Sequence, residues 1–121
     1  MRILIAGSRE ITDYNQLLVA LTKAIEIGII TADSSFEIVS GGATGVDTLA
    51  RRYANEMGYV LTEMKPQYRG SNDRGAPLRR NEDMGKYSDV LVAVWDGHSS
   101  GTNHMIRYMK SLGKPVHVHI S

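Results

Sequence analysis

Residues Phe36-Glu37-Ile38-Val39-Ser40-Gly41-Gly42-Ala43-Thr44-Gly45-Val46-Asp47 decide how this chain folds. A short apolar, β-branched run ends in a glycine-rich turn. The turn opens onto Val46, Leu49, Ala50, Tyr53, Ala54 and Met57, whose spacing has helical period. Strand, tight turn and helix therefore follow one another directly. Glycines in such a turn accept positive φ and leave no Cβ between backbone and ligand, and the first N–H groups of the helix lack intrahelical acceptors. An anion fits there. The same residues also read as a plain turn, with Thr44 as helix N-cap and Asp47 three residues on in a capping-box-like position.

Working outward, residues 2–6 and 89–95 are continuous apolar runs apart from their first residues, as expected of central parallel strands buried on both faces. The first ends at Gly7-Ser8-Arg9. The second opens into Asp96-Gly97-His98-Ser99-Ser100-Gly101-Thr102. Thr12 or Asp13 caps a first helix with the stripe Leu17, Leu18, Leu21 and Ile25, stopped by Gly28. Residues 31–35 form a loop, and Gly58 ends the second helix, whose Arg51, Arg52, Asn55 and Glu56 make a solvated face.

Residues 59–64 alternate loosely before Pro66, which suits an edge strand. A long irregular stretch, 67–76, leads to a third helix with Pro77 as its first residue. Arg79-Arg80-Asn81 lie in its opening turns, where cations oppose the macrodipole unless an anion is bound. The fourth helix packs through Met105, Ile106, Met109 and Leu112 and stops at Gly113. Residues 115–120 alternate Val116, Val118 and Ile120 with His117 and His119, which predicts an edge strand with its histidines on the exposed face rather than a metal site.

The expected fold is α/β, a Rossmann-like three-layer αβα sandwich with a five-stranded parallel sheet in the order 3-2-1-4-5, in one domain over residues 1–121. Ligands of such sheets bind at the carboxyl ends of the strands, at the switch point between strands one and four. The turns at Gly7, Gly41 and Gly97 to Thr102 converge there, which favours a phosphate-bearing ligand over the plain turn. The chain has no cysteine, which excludes a disulfide framework, a thiol nucleophile and a cysteine zinc site. Its formal net charge of +1 does not suit a protein that coats nucleic acid. No signal-peptide core or membrane span is legible, so a soluble cytoplasmic protein is expected.

Four motifs in order, Gly7-Ser8-Arg9, residues 40–47, Arg80-Asn81-Glu82-Asp83-Met84, and Gly97 through Gly101-Thr102, resemble the SLOG superfamily, in particular its small YspA-related single-domain branch. The resemblance implies a nucleotide or nucleotide-derived ligand such as NAD, ADP-ribose or a nucleoside phosphate, and a homo-oligomer. Lonely-guy phosphoribohydrolases carry a glutamate just after Gly-Thr, whereas Asn103-His104-Met105 follows here. Asp47, Asp96 and His104 are then the candidate acids or bases for an N-glycosidase. DNA-processing protein A has similar Gly-Gly-Ala-x-Gly-x-Asp and Arg-Arg-Asn segments, but one tryptophan and one phenylalanine leave little for stacking on a strand beyond Tyr68 and Trp95.

The expected ligand contacts are Gly7, Ser8, Arg9, Gly41, Gly42, Ala43, Thr44, Gly45, Asp47, Arg79, Arg80, Asn81, Asp96, Gly97, Ser99, Ser100, Gly101 and Thr102. No resident metal is expected, and Mg²⁺ enters only as the companion of a phosphate. A β-branched residue at Gly42 is expected to abolish binding, and Arg80→Ala to weaken it while barely touching the apo protein.

Overall fold

The computed structural model describes residues 1–31 and 35–121, so residues 32–34 of the loop expected at 31–35 lie outside the described residues. The elements are β1 (Arg2–Gly7), α1 (Tyr14–Glu26), β2 (Glu37–Ser40), α2 (Val46–Met57), β3 (Val60–Glu63), α3 (Ala76–Tyr87), β4 (Val90–Trp95), α4 (Ser100–Ser111) and β5 (Val116–Ile120). All neighbouring strands pair in parallel, in the order β3-β2-β1-β4-β5. The fold and strand order are those expected from the apolar runs.

The strand periodicity of two divides the core between the sheet's faces. Ile3, Ile5, Val90, Val92 and Val94 pack with Leu17 and Leu21 of α1 and Leu49 and Ala50 of α2. Leu4, Leu91 and Ala93 pack with Met84 of α3 and Met105, Ile106 and Met109 of α4. Three layers follow, and β4, and β1 after Arg2, are apolar because both of their faces are covered. Among the described residues no helix is long and apolar enough to cross a membrane.

Of the two expected caps of α1 the structure uses Asp13, and several other local expectations are corrected. Asp13 caps α1 by accepting from the Asn15 N–H at 3.0 Å. The buried stripe of α1 is Leu17, Ala20, Leu21 and Ala24, while Ile25 is 41% exposed. The two alanines let the helix approach the sheet along their own side and turn Ile25 outward. Met57 and Leu112 are likewise exposed at the ends of their helices. Thr44 does not cap α2. Gly45 occupies the N-cap position with φ 70°, without a side-chain cap, and the Asp47 carboxylate instead accepts the Ala43 N–H at 3.0 Å. Helix α3 begins one residue earlier than expected, leaving Pro77 in its first turn, where a missing N–H costs no intrahelical bond. Helix α4 begins at Ser100, so Gly101 and Thr102 belong to its first turn.

Helix α1 lies over the face of β5 that is expected to be open. Val116 and Val118 face the α4 side, but His117 and His119 are not on an open face. They pair in register with Val92 and Val94 and lie on the α1 side of the sheet, both part-buried, with the His119 ring 2.7 Å from the Gln16 side-chain oxygen. The alternation reading assumed water over the polar face, whereas α1 covers it. His117 Nε2 is buried without a hydrogen-bond partner among the described residues. Burial, then His119 and Lys23, lower the His117 pKa.

Because folding disfavours the charged ring, the unfolded chain binds more protons below the ordinary histidine pKa of about 6.5, and stability falls as pH drops through that value. Urea midpoints of the wild type are thus expected to fall between pH 7.5 and pH 5 more steeply than those of His117→Leu. Parallel slopes would assign the acid sensitivity elsewhere.

Candidate functional site

A crevice of about 450 Å³ opens at the carboxyl ends of β1 and β4, where the sheet order reverses. Its polar walls are Gly7 and Arg9 after β1, Gly41, Ala43 and Asp47 of the glycine turn, Arg80 and Asn81 of α3, and Ser99 through Thr102. Eleven of the expected contacts therefore come together. Ser8, Gly42, Thr44, Gly45, Arg79, Asp96 and Gly97 do not line it, and neither does His104.

In the glycine turn expected to cradle a phosphate, some amides are already bonded within the protein, and those of Thr44 and Gly45, residues that do not line the crevice, meet no acceptor among the described residues. The Gly42 N–H donates to Ser40 Oγ at 3.3 Å, the Ala43 N–H to Asp47 Oδ2 at 3.0 Å and the Val46 N–H to the Ser8 carbonyl at 3.3 Å. The start of α4 differs. Ser99 and Asn103 N–H groups are bonded, to Asp96 and to the Ser99 carbonyl, but those of Ser100, Gly101 and Thr102 meet no acceptor among the described residues. They lie at the positive end of a twelve-residue helix, and all three residues line the crevice.

Ser8 and Asp96 hold that helix start in place. The buried Ser8 hydroxyl oxygen accepts the Asp96 N–H at 3.0 Å and lies 2.9 Å from Ser99 Oγ. Asp96 Oδ1 accepts the N–H groups of His98 and Ser99, each at 2.8 Å. These backbone bonds hold the Asp96 carboxyl down at about 2. Asp96 is thus an ionised turn anchor rather than a poised acid. Trp95 assists by donating from Nε1 to the Ser99 carbonyl at 3.1 Å.

The neighbouring arginines part company. Arg79 turns away to Asp73, 2.5 Å from its carboxylate, outside the crevice, which satisfies one of the two cations early in α3. Arg80 turns inward. Its Nη1 donates to the Gly41 carbonyl at 2.9 Å and the Met64 carbonyl at 3.3 Å, and its Nε to Asn81 Oδ1 at 3.0 Å. Burial lowers the Arg80 pKa, with Asp47 opposing. Burial likewise raises that of Asp47, against the Ala43 N–H and the charges of Arg80 and Arg9. His104 lies 3.2 Å from the Asn81 amide nitrogen through Nδ1 and stacks on Tyr108.

Arg80 is therefore a strut between β2, β3 and α3 before any ligand arrives. Arg80→Ala is expected to cost the apo protein about 1–2 kcal/mol from lost hydrogen bonds, as well as about 1.5–3 kcal/mol of affinity for a phosphate ligand. Urea melts beside calorimetric titration of the variant check both. An unchanged apo midpoint would restore the sequence expectation.

The sequence reading also missed part of the wall. Ala6, Met84 and Met105 form an apolar floor, Pro77 and Leu78 an apolar side, and Glu10 an acidic lip. In the sequence Met105 reads only as a helix-packing residue and Met84 only as the end of the Arg80-Asn81-Glu82-Asp83-Met84 motif, and in the structure both belong to the core cluster under the crevice. Among the described residues no group of histidine and acidic side chains is arranged to hold a metal ion.

A parallel, doubly wound sheet with its crevice at the switch point defines a Rossmann-like α/β domain. The family is then fixed by sequence. The model of the YspA, cpYpsA-related SLOG family matches residues 1–70, more than half of the chain, and the chain belongs to that family. Among solved structures, protein TM1055 is similar with a TM-score of 0.63 at 20% identity, over 95% of this chain and 71% of its own. DNA processing protein A from Helicobacter pylori, whose structure is described for a single-stranded DNA binding mode, is similar with a TM-score of 0.65 at 22% identity. That similarity covers 98% of this chain and 64% of the other, so the chain spans less than two thirds of it. At these identities the likeness is one of fold. No curated protein matches the chain.

Proposed function

We propose that the crevice binds a nucleotide or nucleotide derivative of the nucleoside phosphate, ADP-ribose or NAD type, and that the protein acts as a sensor or sequestering protein. The observation that carries this reading is the meeting, in one crevice, of three unbonded amides at the start of α4 with an apolar floor of Ala6, Met84 and Met105. Phosphate oxygens suit the amides, and a flat base suits the floor. Arg9 and Arg80 supply charge, while Glu10 suits a hydroxyl-bearing group such as ribose.

Binding is favoured over N-glycosidic cleavage because each candidate acid or base is already engaged. Asp47 holds the Ala43 amide through Oδ2, Asp96 anchors a turn, and His104, which does not line the crevice, is in contact with Asn81. A polyanionic strand is less suited, since Asp47 and Glu10 offset Arg9 and Arg80 in the same walls.

The test is a thermal-shift titration with AMP, ADP-ribose and NAD, followed by chromatography of the bound ligand. A ligand present at a hundred times its Kd stabilises the native state by about 2.7 kcal/mol, which raises Tm by several degrees in a domain of this size. At least one of the three is expected to do so and to be recovered intact. No shift with any of them would refute the nucleotide reading, and multiple-turnover release of free base would replace the binder with a hydrolase.

A further inference from the structure

Beside the crevice, on the β3 side of α3, lies a second cleft of about 670 Å³. Its lining includes Lys65, Gln67, Tyr68 and Arg69 from the long stretch after β3, and Arg79 and Arg80 from α3. Arg80 lines both clefts. Its guanidinium is held between the Gly41 carbonyl of the first and the Met64 carbonyl of the second, and its Nη2 has no hydrogen-bond partner among the described residues.

Three features of the second cleft have no structural use in the fold. Tyr68 is 63% exposed, a large aromatic face left in water. The Lys65 ammonium and the Arg69 guanidinium have no hydrogen-bond or ion-pair partner among the described residues, since Lys65 contributes only its carbonyl and Arg69 only its backbone N–H. Three acids share the lining: Glu63 is taken by Arg51 at 2.8 Å, while Glu82 and Asp83 stand on the α3 wall without an ion-pair partner among the described residues. Asp73, just outside, is taken by Arg79, so Lys65 and Arg69 from the loop face the carboxylates of α3 across the cleft. An aromatic platform beside two uncommitted cations is the arrangement that takes a base and its phosphate.

We propose that the second cleft is a subsite for a second nucleoside unit, so that the ligand is a pyrophosphate-linked dinucleotide. One unit occupies the crevice and the linkage passes over Arg80. The other unit's base lies on Tyr68, with its phosphate facing Lys65 and Arg69. This rests on the reading of the crevice as a nucleotide site and names the class of ligand for it. A long loop in a compact domain carries function more often than it carries packing, and residues 67–76 join β3 to α3 where the subsite needs them.

Calorimetric titration with AMP, ADP-ribose and diadenosine diphosphate separates the parts. AMP fills the crevice alone, ADP-ribose adds the pyrophosphate, and diadenosine diphosphate adds a second base. Diadenosine diphosphate is expected to bind at least about tenfold more tightly than AMP, the scale of one stacked base. Tyr68→Ala is expected to collapse its advantage over ADP-ribose, and Lys65→Ala with Arg69→Ala the advantage of ADP-ribose over AMP. Tyr68 is exposed, so its loss leaves the fold intact.

If AMP binds and diadenosine diphosphate binds no better, or if the advantage survives both variants, the subsite is refuted while the nucleotide crevice stands. If none of the three binds, the crevice reading itself has failed. Oligodeoxyadenylate binding that tightens with each added nucleotide, beyond diadenosine diphosphate, would overturn the dinucleotide in favour of a single strand.

Discussion

Gly7→Ala is expected to cost more than about 3 kcal/mol, enough to leave a domain of ordinary stability largely unfolded at moderate temperature. A Cβ on Gly7 would lie 2.1 Å from the Val94 carbonyl oxygen and 2.6 Å from Val46 Cγ2. The first contact is with the backbone of the paired strand, and Gly7 and Val94 are register partners. Relief therefore means parting β1 from β4 at the centre of the sheet. Adding a methyl group to a packed core costs about 1–3 kcal/mol when side chains can shift, and here the obstacle is main chain.

Gly45→Ala belongs with it. The Cβ would lie 2.3 Å from the Arg9 carbonyl, and φ of +70° adds strain of about 1–2 kcal/mol for a residue with a Cβ. Gly28 provides the control, because its φ is +84° with nothing within 4 Å of the added atom, so Gly28→Ala meets the strain without the collision. Urea denaturation followed by circular dichroism ranks the three. Gly7→Ala within about 1 kcal/mol of the wild type would mean that the strands part easily and that this packing does not matter.

These glycines also explain how far the sequence could be read. The first and fourth strands were legible because burial on both faces leaves no polar position to confuse their extent, and their centrality fixed the strand order and the place of the crevice. The site was legible only as a neighbourhood. Gly7, Gly45 and Gly101 are the same letter for different reasons: close packing on Val94 and Val46, positive φ against the Arg9 carbonyl, and open space in the crevice wall. Local sequence does not distinguish them.

Arg79 and Arg80 gave one signal, two cations at a helix start, yet Asp73 answers the first and the carbonyls of Gly41 and Met64 the second. Those partners are up to 39 residues away in sequence. The histidines of β5 failed in the opposite sense, since strict alternation describes the strand but not the helix laid over it. The second cleft left its mark only as a loop too long for its connection.

Gly101 offers the clearest separation of ligand from fold. It sits in the first turn of α4, in a crevice-lining position, with no atom within 4 Å of an added Cβ and no positive φ. A glycine inside a helix costs about 0.5–1 kcal/mol relative to alanine, so nothing in the fold explains why a side chain is missing there. Close approach of a ligand to the unbonded amides of Ser100, Gly101 and Thr102 does explain it. Gly101→Ala is accordingly expected to leave the apo protein as stable as the wild type or more so, while Gly101→Val, with a bulkier group in the same space, is expected to weaken AMP or ADP-ribose by well over tenfold. A phosphate held by backbone N–H groups loses charge-assisted bonds of about 1.5–3 kcal/mol each when it is pushed out of range, and about 1.4 kcal/mol is a factor of ten. Thermal melts of the apo variants and calorimetric titration with both nucleotides read the two effects separately. Undiminished affinity in Gly101→Val would move the phosphate away from α4, towards Arg9 and the glycine turn, and loss of apo stability in Gly101→Ala would make the glycine a structural requirement after all.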